Sequence, residues 1–533
     1  MQRRQFLSAV CGAAGYLASR TARSQDVGLP VHREDCINRD LATAAGDALT
    51  IAKHQGGHAR VRYLTLYAVP PQDRLRFMAG ISLACHQLSY AGVVVQPHKL
   101  TETVWRLDLN LYDPHNQGWE AGWEQIVAHD HRYHYGDVRP LTSTDAKVFI
   151  GSIVKVKCSD GVFRDARVSS VFEGGYQYDL FGKTYSKTIA EPTPEVRYQH
   201  LGGYGDWVDV STASLLEEIT GSKGAILDGR EFAAYASTTP IYYTFRNTPK
   251  TFEEWANSFG EFGVTGFGKP GVRGANLDTS GVTWTVRGIE RRRLPVWVSY
   301  DQSKAFDLTD EFDPFVLPDR TNKIRASETF AFTNNGGMDC AAWNGDWQRV
   351  DAVPGAVAID TSFGPARELR PGRSCWSCHS KKNGGAETAG LLNFTDMQSQ
   401  QPAVTKDPVL AANLAAYYGN QQQLLDDMNR DRASFLRGCL QSTEGIPPSQ
   451  GFFILNELCD QVELQSVTPE RACRELCLDP EGNGAVTLSR WLNGTVQPAL
   501  RRLMDGGVVH WQRFKVAMPE ALHAIHNRSV FQR

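Results

Sequence analysis

Val104-Trp105-Arg106-Leu107-Asp108-Leu109-Asn110-Leu111 alternates apolar and polar side chains without a break, the period of a strand with one face packed and one face wet. Just upstream the period changes. Leu75, Met78, Ile81, Cys85 and Leu88 recur at three- and four-residue spacing, which predicts a helix with one buried stripe and with Arg74 and Gln87 in water. Arg60 to Leu66 reads as a strand before that helix, so the chain opens as an α+β body. Further strands are expected at Pro240–Phe245 and Val296–Tyr300, separated by a glycine-rich loop from Gly260 to Gly281. Gly266-Phe267-Gly268 in that loop lacks the strand-turn-helix setting and third glycine of a nucleotide fingerprint. Past Pro402 the pattern turns helical at Val409–Tyr418, Gln421–Leu440 and Phe452–Leu464. A further helix opens at Thr468-Pro469-Glu470, where Thr caps and Pro fits the first turn.

Between about Asp145 and Pro194 the texture becomes short alternating strands. Val154-Lys155-Val156-Lys157, a Ser159-Asp160-Gly161 turn, Ala166-Arg167-Val168, Val171-Phe172, a Gly174-Gly175 turn and Tyr176 to Phe181 follow one another. This pattern resembles SH3-like or Tudor modules and implies a small inserted β-barrel. Phe172, Tyr176, Tyr178 and Phe181 then either fill its core or line a ligand groove. The expected organisation is a signal segment at 1–24, an α+β body at 25–144 and 195–370 interrupted by the barrel at 145–194, a haem-attachment segment at 371–400, and a helical C-terminal subdomain at 401–533.

A chain of 533 residues suits two or more domains. With 41% hydrophobic and 22% charged residues it can bury real cores, and a formal charge of -3 leaves no electrostatic footprint for nucleic acid or an anionic membrane surface. Arg3-Arg4-Gln5-Phe6-Leu7 places a twin arginine ahead of an apolar stretch, Leu7 to Ala18, too short to span a bilayer. Ala22-Arg23-Ser24 then offers small residues to a signal peptidase. The expectation is a Tat-type signal and a periplasmic or otherwise exported chain with no transmembrane segment once matured. A basic start followed by a buried helix is the competing reading. A lipid anchor at Cys11 is disfavoured because Val10 stands where a small residue is needed.

The centre of the functional case is Ser374-Cys375-Trp376-Ser377-Cys378-His379, which contains C-x-x-C-H. Thiols three residues apart reach the two vinyl groups on one edge of a porphyrin, and the adjacent imidazole falls beneath the iron. Cys375 and Cys378 are therefore the expected covalent attachment points of one haem c, and His379 its axial iron ligand. Pro371-Gly372 before the motif and Gly384-Gly385 after it predict a site carried on a loop. Three plainer readings compete. Zinc would want a second ligand pair, and no second C-x-x-C exists in the chain. A thioredoxin-type dithiol belongs at a helix start after a strand, and a disulfide across two residues is strained.

For the sixth iron position Met397 is the nearest candidate, with Met428 and scattered histidines behind it. Methionine ligation suits electron transfer, whereas an open position suits a peroxidase-type enzyme. Lys381 and Lys382 stand ready for a propionate or an acidic redox partner protein of the cell envelope, or are simply a solvated surface. Eight further cysteines, Cys36, Cys85, Cys158, Cys340, Cys439, Cys459, Cys473 and Cys477, are either bridge partners or buried thiols, and the last four could staple the helical subdomain. His129, His131 and His134 read as a polar loop rather than a metal clasp, and Gly56-Gly57 argues against a helical His54–His58 pair. Asp479 to Gly484 imitates a calcium loop, but Arg490 occupies its glutamate position.

With these residues in view, nearly the whole chain after the signal resembles a family of exported bacterial proteins with a single c-type haem motif and no established activity. Arg62-Tyr63-Leu64-Thr65-Leu66, Leu83 to Tyr90 and Trp105-Arg106-Leu107-Asp108-Leu109 are similar to its opening blocks. Ser280-Gly281-Val282 through Glu290-Arg291, and Ser299-Tyr300-Asp301, are similar to its middle ones. Gly337-Met338 and a tryptophan-rich stretch precede Gly372-x-Ser374-Cys375-x-x-Cys378-His379 in the same order. In the block ahead of the motif Gly336 and Cys340 replace a family Asn and Gly, and the barrel is an insertion. The resemblance implies a haem on Cys375, Cys378 and His379 and an envelope location, and no substrate. The expected function is electron transfer by a mono-haem c-type protein. The alternatives are a haem peroxidase, weakened because the familiar dihaem enzymes need two such motifs, and an envelope scaffold or sensor with a structural haem.

Overall fold

The computed structural model describes residues 34–55, 57–129, 210–260 and 326–353, the strands between 137 and 200, and parts of 273–303 and 359–514. The expected signal segment lies outside the described residues. Helix α1 (Glu34–Gln55) leads into strand β1 (Val61–Thr65), helix α2 (Arg74–Leu88), strands β2 (His98–Lys99) and β3 (Val104–Asp108), and helices α3 (Leu109–Tyr112) and α4 (Trp119–His129). The alternation that reads as a strand to Leu111 breaks at Asp108, whose side chain accepts a hydrogen bond from the Asn110 N–H at 3.0 Å and caps α3. Leu111 accordingly faces water.

Strands β4 (Asp137–Pro140), β5 (Ile153–Lys157), β6 (Phe163–Phe172), β7 (Gly175–Leu180), β8 (Lys183–Thr188) and β9 (Val196–His200) form one sheet in the order β4-β9-β5-β6-β7-β8. The strands expected between 145 and 194 are present, and the sheet recruits flanking strands on both sides of that span. Its described pairings do not close into a barrel. Phe172 is on β6 and Tyr176 and Tyr178 are on β7, and the side chains of all three, like Phe181, lie outside the described residues.

Helix α5 (Val210–Thr220) and strand β10 (Ile226–Asp228) return the chain to the first sheet, ordered β10-β1-β3-β2, with β10 parallel to β1 and β1 antiparallel to β3. Helices α6 (Gly229–Ala236), α7 (Ile241–Phe245) and α8 (Phe252–Ser258) follow. The strand expected at Pro240–Phe245 is helical instead. Its β-favouring Tyr242 and Tyr243 are held by tertiary bonds, described below, that override local preference. Strands β11 (Arg273–Leu277), β12 (Thr285–Arg291), β13 (Val296–Ser303), β14 (Ala326–Phe332) and β15 (Met338–Asn344) make an antiparallel meander, and β11 lies within the stretch expected to be loop. Short strands β16 (Ile359–Asp360) and β17 (Arg367–Glu368) pair, as do β18 (Lys382–Asn383) and β19 (Ala386–Glu387), with helix α9 (Arg373–Cys378) between the two pairs. Strand β20 (Met397–Gln398) adds to the far edge of the meander. Helices α10 (Gln421–Ser442), α11 (Pro448–Glu463), α12 (Pro469–Glu475) and α13 (Gly484–Gly494) follow. Thr468 caps α12 as expected, accepting from the Arg471 N–H at 3.2 Å. The Val409–Tyr418 helix lies mostly outside the described residues.

The C-terminal helices share one apolar core with the body. Helix α11 packs on α2 at Gly80, where a side-chain Cβ would stand 3.0 Å from the Ile454 methyl and 3.1 Å from the Leu455 nitrogen. Arg230 at the start of α6 donates to Glu475 on α12 at 2.7 Å and to Asp228 at 2.6 Å, all three fully buried. Arg291 on β12 and the Trp297 indole on β13 both donate to Asp431 on α10, at 3.2 and 2.9 Å. Gln87, expected in water, is buried because its amide answers two groups: it accepts from the Met338 N–H at 2.8 Å and donates to the Cys439 sulfur at 3.5 Å. Leu75, expected on the buried stripe, is exposed at the first turn of α2. Among the described residues no helix is long and apolar enough to cross a membrane.

Candidate functional site

The C-x-x-C-H motif sits on a helical turn, α9, rather than on the loop expected from its flanking glycines. Gly372 makes the turn possible. Its φ of 91° lies in the region L side chains avoid, and a Cβ there would stand 2.4 Å from the Ser237 carbonyl oxygen. That carbonyl instead accepts the Arg373 N–H at 2.7 Å and anchors the start of α9 beside α6.

The residues between the two cysteines hold the turn. Trp376, wholly buried, donates its indole N–H to the Met338 carbonyl on β15 at 2.9 Å, and its ring meets Tyr242 edge-on at 5.4 Å. Ser377 accepts from the Asn456 amide on α11 at 2.6 Å. Helix α7 is the shelf between α9 and the sheet. The Tyr242 hydroxyl accepts from the Cys340 N–H at 2.8 Å and donates to Asp339 at 3.0 Å, while the Tyr243 hydroxyl accepts from the Ala342 N–H at 3.1 Å and donates to the Val350 carbonyl at 2.9 Å. Arg246 completes the shelf, with its guanidinium 3.4 Å from Asp339 and over the Tyr90 ring.

At about 100° per residue, Cys375, Cys378 and His379 fall within an arc of about 100° on one side of this turn. Neither Cys375 nor Cys378 is in a disulfide, and the first is buried and the second half-buried. His379 is buried with its ring edge against Phe330 on β14, centroids 4.5 Å apart. The Cys340 thiol on β15 donates to the Met338 carbonyl at 3.8 Å; its interaction with Cys375, followed by burial, pushes the Cys375 thiol well above the ordinary thiol range. Burial pushes Cys340 up as well.

The donor set fits a c-type haem: two unbridged thiols one turn apart and an imidazole on the same side. Among the described residues no group of three or more His, Cys, Asp or Glu side chains is placed to hold a bare metal ion. Haem differs from such an ion in bringing its own equatorial ligands, so one imidazole suffices from the chain.

The structure does not bring Met397 to this turn. Met397 lies on β20, opposite Leu277 of β11, and the sheet order β15-β14-β13-β12-β11-β20 puts four strand spacings, about 19 Å along the sheet, between β20 and the strand that carries Phe330. Met428 is buried on α10. Of the cysteines considered as bridge partners, Cys85, Cys340, Cys439, Cys459 and Cys473 are buried and in no disulfide, so no staple joins Cys439, Cys459 and Cys473 of the C-terminal helices. Cys36 is on α1 with its side chain outside the described residues, and Cys158, Cys477, His131, His134 and Lys381 lie outside them altogether.

Sequence reasoning missed the neighbours of the motif. Cys340 stood out only as one cysteine among several, and nothing in the order of residues tied it to Cys375 or tied Phe330 to His379. No protein family, no curated protein and no solved structure matches the chain.

Proposed function

We propose that this chain is an exported mono-haem c-type protein that transfers electrons to or from a partner protein of the cell envelope. What carries the reading is the common side of α9 that Cys375, Cys378 and His379 share, on a turn whose other residues are fixed to α7, α11 and β15. Cys375 and Cys378 supply the thiols for the two vinyl groups, and His379 supplies the imidazole for the iron. A haem held this way contributes a one-electron couple. Phe330 keeps the His379 ring in an apolar setting, and Trp376, Ser377 and Gly372 hold the backbone that aims it. Lys382 on β18, close in sequence, is the cation this reading assigns to a propionate or to an acidic partner. The inserted segment reads, on its strand pattern, as an SH3-like adaptor.

The test is a pyridine haemochrome spectrum with acid-acetone extraction on protein exported from a host that matures cytochromes. Haem that stays with the protein, and a shifted band when either Cys375→Ala or Cys378→Ala removes one link, is the expected result. Colourless protein without the added mass of a tetrapyrrole refutes it.

A further inference from the structure

Between the two cysteines of the motif stands a ring that can itself give up an electron. Trp376 is wholly buried and meets Tyr242 edge-on with ring centroids 5.4 Å apart, and Tyr242 meets Tyr243 at 5.7 Å. These are the separations of packed aromatic pairs, short enough for an electron to cross. The polar atoms of the three rings differ in what they can do with a proton. The Trp376 indole N–H donates to the Met338 carbonyl and the Tyr243 hydroxyl to the Val350 carbonyl, and a peptide oxygen does not take a proton. The Tyr242 hydroxyl faces a base. It donates to the Asp339 carboxylate at 3.0 Å and accepts from the Cys340 N–H at 2.8 Å, and both side chains are buried. Arg246, 3.4 Å from the same carboxylate oxygen, holds that oxygen in place. Burial pushes the Tyr242 hydroxyl well above its ordinary range, so no phenolate stands there at rest. Tyr63 supplies the contrast: it donates to Asp47 at 2.8 Å, but no aromatic partner of Tyr63 is found among the described residues.

We propose that Tyr242 is a proton-coupled one-electron redox site, filled and emptied through Trp376, with Asp339 as its proton store. An external one-electron oxidant takes an electron from Trp376, whose N–H stays on the Met338 carbonyl and leaves the ring a radical cation. Tyr242 then gives one electron to Trp376 and its hydroxyl proton to Asp339, becoming a neutral phenoxyl radical. In sum, a tyrosine and a carboxylate have become a phenoxyl and a carboxylic acid, and the oxidant has gained one electron. An electron returned through Trp376 reverses both transfers. Burial keeps the Tyr242 phenoxyl from coupling to another ring of its kind, so it outlives radicals on exposed tyrosines such as Tyr185.

The redox site stands apart from the haem reading; that a haem exchanges electrons with it rests on that reading. Full-length chain made without haem is oxidised by azide radicals from a radiolysis pulse, frozen once the radicals on exposed tyrosines have decayed, and examined by electron paramagnetic resonance. The expected result is a surviving tyrosyl signal whose splitting collapses when the tyrosine rings are deuterated. Wild type without such a signal overturns the proposal, whatever the variants do. The signal is expected to be lost in Tyr242→Phe and in Asp339→Asn and kept in Tyr243→Phe and Tyr63→Phe; an undiminished signal in Tyr242→Phe overturns the site, and one in Asp339→Asn overturns the proton store. Trp376→Phe, whose ring azide radicals leave alone, is expected to lose the signal too, and an unchanged yield overturns the route. Exported from a cytochrome-maturing host and reduced, the protein is expected to lose the tyrosyl signal in step with oxidation of its haem; a persistent signal beside ferrous haem refutes the exchange. Colourless protein that keeps the tyrosyl signal sinks the haem reading and leaves Tyr242 standing.

Discussion

His86, in the last turn of α2, is buried completely, close against Gly438 of α10, and no partner of good geometry meets either ring nitrogen. Burial pushes its imidazole from 6.5 down to about 4, and the nearby Gly336 backbone offsets part of that effect. The neutral ring is therefore the form that folds. Above about pH 6.5 neither state is protonated at this position and it contributes nothing to pH dependence. Below that, the unfolded chain takes up a proton that the folded chain refuses, so stability falls with pH until the folded ring also protonates near 4. At 1.36 kcal/mol per pH unit the loss is about 2 kcal/mol by pH 5 and about 3 kcal/mol by pH 4. Urea unfolding of wild type and of His86→Leu, compared between about pH 7 and about pH 4.5, cancels the carboxylates common to both. The leucine variant, which also removes two unsatisfied polar atoms, should equal or exceed wild type at pH 7 and lose less on acidification. Parallel pH profiles for the two proteins would refute the assignment of a neutral, destabilising imidazole to this position.

Three more outcomes are expected. Trp376→Phe keeps most of the buried ring but takes the indole donor from the Met338 carbonyl, leaving it the weak Cys340 thiol, and should cost about 1–3 kcal/mol; Trp376→Ala should cost about 3–5 kcal/mol, both read from denaturant midpoints. Gly372→Ala forces a methyl group onto the Ser237 carbonyl at a φ of 91°. It should lower stability by about 1–3 kcal/mol and reduce haem content more than a surface Gly→Ala control such as Gly46→Ala. Arg230→Met removes the buried cation that joins Asp228 to Glu475 and leaves Glu475 the longer Arg471 pair at 3.4 Å; it should cost about 3–5 kcal/mol, seen as a fall in melting temperature that is insensitive to salt.

The parts of the fold that could be read in advance are those in which local preference and tertiary demand agree. Thr468-Pro469 starts α12 as its chemistry dictates, and the α2 and β3 periodicities both locate real elements. Errors occur where a distant partner decides. Gln87 looks solvent-facing until the Met338 N–H, far along the chain, is placed beside it. Tyr242 and Tyr243 look like strand residues until their hydroxyls are seen to serve the backbone of β15 from a helix. Ala326–Phe332 and Met338–Asn344 gave no alternating signal, because β14 and nearly all of β15 are buried on both faces, which erases the wet half of the pattern. The motif itself was legible, as its spacing is local. Its support was not, since Phe330, Cys340, Tyr242 and Asn456 come from four elements spread over more than a hundred residues.

Seven residues in and just ahead of the motif divide their work by position on the turn. Gly372 and Arg373 bind α9 to Ser237, Trp376 binds it to β15, and Ser377 binds it to α11. The remaining three, Cys375, Cys378 and His379, are the ones on which the proposed haem attachment rests, and that proposal requires a fixed backbone beneath them. A turn built only to fill a core would not need its apolar anchor and its two thiols on different sides, and a loop, as first expected, could not hold the three at constant phase. Cys340 lies on the strand rather than on the turn, and its thiol donates at 3.8 Å to the same Met338 carbonyl that takes the Trp376 indole, so one oxygen of β15 serves both the anchor of the turn and the cysteine beneath it.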